Sequence, residues 1–216
     1  MQKATVLSLT LVLWALPALC EIPDSPKNQL SDQADRFQKA KLGSRVEEWA
    51  RHLEDKDPEL RFEALKLIGE SDDPRASQYL IEAVESSDAR VATAAVDYLG
   101  RMKAKDAAGF LSERLFLAGT SATIRQHILV ALGRIGDEGS GRRVLDFVQG
   151  ESDPSLRGTA VRVLGEIGTP SIATDLQKLS EQEKDPRQKT LMQDAVAKIT
   201  ARASDAVAHH APSSTE

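Results

Sequence analysis

One segment recurs five times in this chain, at a spacing close to one turn of a helical-repeat solenoid. Asp57-Pro-Glu-Leu-Arg-Phe-Glu-Ala-Leu-Lys-Leu-Ile-Gly69 is followed by Asp88-Ala-Arg-Val-Ala-Thr-Ala-Ala-Val-Asp-Tyr-Leu-Gly100 and Ser121-Ala-Thr-Ile-Arg-Gln-His-Ile-Leu-Val-Ala-Leu-Gly133. Asp153-Pro-Ser-Leu-Arg-Gly-Thr-Ala-Val-Arg-Val-Leu-Gly165 and a worn copy, Asp185 to Ala197, complete the set. The segments end at 69, 100, 133, 165 and 197, so the spacings are 31, 33, 32 and 32. Each opens on Asp or Ser, a residue that accepts from the first amides of a helix, and three place Pro at the first helical position. Counting from Leu60 as zero, apolar residues fall at offsets 0, 4, 5 and 8, which share one face of a helix. The small residue at offset 4 (Ala64, Ala95, Ala160) admits a neighbouring helix, and the Gly near each end is read as relaxing the chain for the turn out.

A second set of helices precedes each segment: Arg45 to Leu53, Arg75 to Glu85, Asp106 to Leu117, Ser140 to Val148 and Ser171 to Leu179. The prediction is therefore an all-α, α-α superhelix of ten helices in five pairs over residues 44–200. Aromatic residues make up only 4% of the chain, which suits close helix packing through small side chains and not a β-sandwich.

The flanks read differently. Lys3 is followed by an apolar run from Val6 to Leu19, too short for a membrane span and suited to a signal peptide over 1–20. Ala18 and Cys20 stand at the −3 and −1 positions for cleavage before Glu21. The expected location is periplasmic or secreted. The alternative is a lipoprotein anchored to a membrane through Cys20, because Leu16-Pro-Ala-Leu-Cys20 is similar to a lipobox, although Pro17 and Leu19 depart from it. Residues 21–43 are read as a linker with a short cap helix over 28–41, and 201–216 as a disordered tail, being small, polar and Pro-containing.

The Asp-Pro-x-Leu-Arg-x-x-Ala-x-x-x-Leu-Gly strings ending at Gly69 and Gly165 resemble HEAT repeats, in particular the phycobilisome-lyase HEAT-like subgroup. Ala92 and Lys189 stand where that pattern has Arg. The resemblance implies that the Leu-Arg helix is the second of each pair and lines the concave side. It also implies that Arg61, Arg125 and Arg157 are structural, bonding acidic groups near the repeat turns, with Asp55 and Glu151 available.

Motifs of catalysis and cofactor binding are missing: there is no Cys-x-x-Cys, His-Glu-x-x-His, Gly-x-Ser-x-Gly or Walker-type loop. The run Gly133-Arg-Ile-Gly-Asp-Glu-Gly-Ser-Gly141 aligns with the turns of other repeats and is read as a turn. None of His52, His127, His209 and His210 precedes a Glu, unlike the iron-holding His-Glu pairs of deoxyhypusine hydroxylase, an enzyme of similar repeats. The sequence thus points to no enzyme, no metal and no cofactor. The net charge of −5 weighs against nucleic acid as a partner.

What remains is the outward face of the second helices. Offset 10 reads Glu70, Arg101, Arg134, Glu166 and Lys198, and offset 6 reads Lys66, Asp97, Val130, Arg162 and Asp194. With His127 at offset 3, Arg101, Arg134 and Arg162 form a basic centre between acidic shoulders, bordered by Tyr98. Tyr and Arg anchor many interfaces. These five residues are the candidate site for an acidic or mixed-charge segment of a protein partner, in a scaffold or adaptor. A solvated face with Tyr98 in the core is the plainer alternative. A bilin-handling, chromophore-lyase-like protein and a nucleic-acid-binding repeat protein are the rival functions.

Overall fold

The computed structural model describes residues 45–210, with side chains described as far as residue 206. All of them belong to one compact unit, Lys39–Glu216. The expectations for the signal peptide, Cys20, the linker and cap helix, the last six residues, and the side chains of His209 and His210 lie outside the described residues.

Among the described residues ten α-helices follow one another in five pairs. The first members are α1 (45–51), α3 (Ala76–Ala83), α5 (Ala108–Arg114), α7 (Gly141–Gly150) and α9 (Pro170–Gln182). The second members are α2 (Pro58–Gly69), α4 (Ala89–Met102), α6 (Ala122–Ile135), α8 (Pro154–Ile167) and α10 (Pro186–His210). The even helices start where the sequence places them. Asp57, Asp88, Ser121, Asp153 and Asp185 each accept from a backbone amide two or three residues on, at 2.8–3.3 Å. Between α6 and α7, Gly136 takes a left-handed φ of 70° and Asp137 then caps a short 3₁₀ turn, so the middle of the Gly133–Gly141 run, residues 136–140, is a turn between two helices.

Even helices pack on even helices more extensively than odd on odd, so the even layer is the tighter of the two. The stripe is the core, with Leu65, Ile68, Val91, Leu99, Leu129, Leu132 and Leu164 all fully buried, except at its first member: Leu60, at offset 0 of the first copy, is 48% exposed.

Two readings need correction. Apart from Gly69, which ends α2, the repeat glycines do not open turns. Gly100, Gly133 and Gly165 lie inside their helices, which continue for two more residues, and none has a positive φ. Each faces offset 7 of the next even helix: Gly69 meets Tyr98, Gly100 meets Ala131, Gly133 meets Val163 and Gly165 meets Ala195. They are notches that let adjacent repeats close up. The second correction concerns the tail. α10 continues to His210, ten residues past the expected end of the solenoid. Arg202 has a structural reason to be helical there: its guanidinium donates to the carbonyls of Gly165 (2.9 Å) and Gly168, which close α8.

The turn-edge arginines join neighbouring repeats. Arg61 donates to the Asp55 carbonyl (2.8 Å) and to Asp88 of the next repeat (2.9 Å). Arg125 donates to the Leu117 carbonyl and faces Glu151 at 3.7 Å, while Arg157 donates to the Val148 carbonyl and pairs with Glu183. Glu151 thus serves Arg125 of the preceding repeat, and Asp55 offers Arg61 its carbonyl and not its carboxylate. The junction between the second and third repeats has Ala92 at the arginine position and Gly119 two residues before the cap. Both ends of the bridge are missing together, and His127 to Asp97 (2.8 Å) ties that junction instead.

These bridges carry a pH dependence. Glu183 titrates below the ordinary carboxylate range, chiefly because the Asp185 amide donates to it; burial opposes this and Arg157 adds to it. At Asp88 burial is the largest influence and pushes upward, but Arg61 and the amides of Arg90 and Val91 outweigh it. A carboxylate whose folded pKa is depressed stabilises the fold above its unfolded pKa, and that contribution is lost as pH falls through the folded value. The melting temperature is therefore expected to hold from neutral pH to about pH 5 and to drop below about pH 4. In an Arg61→Met, Arg157→Met double variant the acid drop should shrink. An unchanged acid profile in that variant would remove the turn carboxylates as its source.

Candidate functional site

The five predicted residues lie on the even helices in unequal situations. Tyr98 is not an exposed anchor. It is 8% exposed and its ring fills the notch at Gly69, so the core alternative holds for it. Arg101 lies over the outer face of that ring, 4.1 Å from its centroid. His127 is half-buried, donates through Nδ1 to the Asp97 carboxylate, and lines a recess of about 270 Å³ with Gln126 and Asp153. Arg134 and Arg162 line a recess of about 340 Å³ between α6 and α8. Arg101, one helix away on α4, is not part of it.

Val130, Gly133 and Val163 supply the apolar part of that recess, and Gln126, Thr159 and Glu166 the remaining polar part. Thr159 is buried, and its hydroxyl oxygen accepts from Gln126 Nε2 (3.0 Å) and from Arg162 Nη2 (2.9 Å). Glu166 is ion-paired with Lys198 of the last repeat. Gln126 and Thr159 were not singled out as site residues by sequence reasoning. The signal for Thr159 was its place at the same offset as His127; Gln126 at offset 2 carried none. Phe62 of α2 is half-buried, with Arg90 over its ring at 5.3 Å.

The ion pairs divide the arginines in an informative way. Between the start of α2 and the end of α9 the chain has eleven arginines. Arg61, Arg75, Arg90, Arg114, Arg125, Arg142, Arg143 and Arg157 each have a carboxylate partner. Arg101, Arg134 and Arg162 are exposed and have none among the described residues. The three guanidinium groups without a carboxylate are those the sequence assigned to the basic centre.

The model for HEAT repeats matches residues 46–117 and 115–197, most of the chain. The chain belongs to the HEAT-repeat family. No curated protein matches the sequence. Among solved structures, these HEAT repeats are similar to a chain of the CpcE–CpcF complex of phycocyanin lyase from Nostoc sp. PCC7120, with a TM-score of 0.56 and 18% identity over 72% of this chain. The alignment spans 65% of that lyase chain. An engineered protein matches with a TM-score of 0.51 and 17% identity, over 72% of this chain and 79% of its own. The first likeness agrees with the resemblance to lyase-type HEAT repeats, and at these identities it concerns the fold. It also corrects the expectation that the chain is not an enzyme. A chain of this fold is part of a lyase, so neither the repeats nor the missing motifs count against catalysis.

Proposed function

We propose that this chain is an exported adaptor that holds an acidic segment of a protein partner along its even-helix face. The observation that supports the reading is the division of the arginines: all of those at the turn edges and on the odd layer between α2 and α9 are paired, and those on the even face offer free donors. Arg recognises carboxylates bidentately, and an exposed guanidinium already held by Tyr98 or Thr159 loses less freedom on binding. Export rests on residues 1–20 and is checked by mass spectrometry of the natural product, whose mature chain begins at Glu21, or at a lipidated Cys20 in the anchored alternative.

The test is crosslinking capture from envelope and medium fractions, with residues 21–216 as bait beside the same bait carrying Arg101→Glu, Arg134→Glu and Arg162→Glu. The expected result is a partner held by the first bait and lost by the folded triple variant. A partner held equally by both would move the site off this face. The likeness to a phycocyanin lyase chain supports a second reading, a lyase-like role toward a chromophore. Co-expression with a bilin, followed by an absorbance scan of the purified protein, decides it: a new visible band that stays with the chain supports that role, and a colourless protein removes it.

A further inference from the structure

We infer that the recess between α6 and α8 is an anchor site for a single carboxylate carried on a short aliphatic stem. The inference rests on the reading of the even face as a binding surface and names the group that this face takes at its centre.

The hydrogen-bond inventory of the recess is unbalanced toward donors. Thr159 Oγ1 receives two N–H bonds, from Gln126 and Arg162, which use both of its lone pairs. Its own hydroxyl hydrogen has no acceptor among the described residues, although the residue is 4% exposed. Turning the Gln126 amide over lets Thr159 donate to it, but then the N–H groups of Gln126 are the spare donors. Arg162 spends one N–H on Thr159, and Arg134 spends none among the described residues. The lining has one carboxylate, Glu166, and Lys198 neutralises it from α10. A ligand here must bring acceptors.

Charge and surface narrow its class. Two guanidinium groups beside one neutralised carboxylate favour an anion, and the apolar part of the lining selects a carboxylate on a hydrocarbon stem over a fully hydrated phosphate. Val130, Gly133 and Val163 favour a few CH₂ or CH₃ groups next to the acid. About 340 Å³ is room for one amino-acid-sized group and not for a folded element. A Glu side chain or chain terminus of a protein and a free small aliphatic acid share this chemistry.

The test is an amide-resolved NMR titration of the whole chain with butyrate, butyramide, inorganic phosphate, a short peptide ending in a free aliphatic carboxylate, and its amidated form. Butyrate and the free-acid peptide should give saturable shifts at Val130, Gly133, Thr159 and Val163, and butyramide and the amidated peptide none. Arg134→Gln and Arg162→Gln, both exposed changes, should each weaken the acid by about tenfold, with the folded spectrum otherwise kept. A peptide that binds well above butyrate assigns the site to a protein source, and equal affinity assigns it to a free acid. Equal shifts from butyramide, a preference for phosphate, or no saturable shift from any acid would overturn the inference. If an acidic peptide then still shifts residues around Arg101, the adaptor reading survives without this anchor. If the acids bind here while partner capture ignores the triple charge reversal, the anchor survives without the adaptor.

Discussion

Leu132→Asp leaves the chain without a cooperative melt. Leu132 is fully buried in α6, the even helix of the middle repeat, and α6 packs on both α4 and α8. Truncating a buried leucine costs about 2–5 kcal/mol in lost burial and cavity. The carboxylate adds several kcal/mol more, because no Lys, Arg or His is buried among the described residues to pair with it and its alternative is to take up a proton. A domain of this size has a total stability of about 5–15 kcal/mol, so the substitution exceeds or nearly exhausts it. Position in the array enlarges the effect. Each repeat is supported by its neighbours, and losing the third leaves two short stacks, of two pairs each, with raw apolar ends. Far-UV circular dichroism with a urea titration measures it. Leu132→Met should cost less than about 1.5 kcal/mol, and Thr123→Asp, exposed on the same helix, should lie within about 0.5 kcal/mol of the parent. A cooperative transition of Leu132→Asp at the parent's midpoint would contradict the assignment of the core stripe.

The features legible in the sequence are those whose cause is local. A cap needs one side chain and an amide two or three residues on, so all five even helices begin where Asp57, Asp88, Ser121, Asp153 and Asp185 stand. The apolar stripe likewise follows from helical geometry alone. What escaped were pairings between repeats. The glycine of each repeat looks the same in one dimension whether it loosens a turn or admits a neighbour, and only the partner 29 to 31 residues on distinguishes the two. Arg202 lies in a polar stretch that reads as a tail, and its reason to be ordered is a pair of carbonyls 34 and 37 residues upstream. The site divides in the same way. Helical spacing placed Arg101, Arg134 and Arg162 on one face, but not that Arg134 and Arg162 share a recess or that Tyr98 is spent filling the Gly69 notch. Gln126 and Thr159 were missed as site residues because their bond to each other runs between α6 and α8.

The notch reading makes its sharpest claim at Gly100, where Gly100→Ala should destabilise by about 1–3 kcal/mol and Gly100→Val by more. Helix propensity alone predicts the opposite sign, since Ala exceeds Gly by about 1 kcal/mol in a helix interior. The backbone does not object to a side chain: Gly100 is inside α4 and its φ is not positive. The obstacle is contact. A Cβ on Gly100 would lie 2.9 Å from Ala131 Cα and 3.0 Å from Ala131 Cβ, on a neighbouring helix whose backbone cannot rotate out of the way. α4 and α6 must slide apart, which opens the core on either side of the seam. Gly69→Ala is the intermediate case. Its Cβ would fall 2.2 Å from the Tyr98 ring, which can swing outward at the cost of its burial and of its contact with Arg101. Gly109 in α5 is the control, for it is exposed and a Cβ there meets nothing within 4 Å. Gly109→Ala should therefore stabilise by up to about 1 kcal/mol through propensity. Thermal melts of the three alanine variants should rank Gly109 above the parent, Gly69 below it and Gly100 lowest. If Gly100→Ala and Gly109→Ala both rise, the repeat glycine is not a packing notch, and the close approach of the even helices must have another cause.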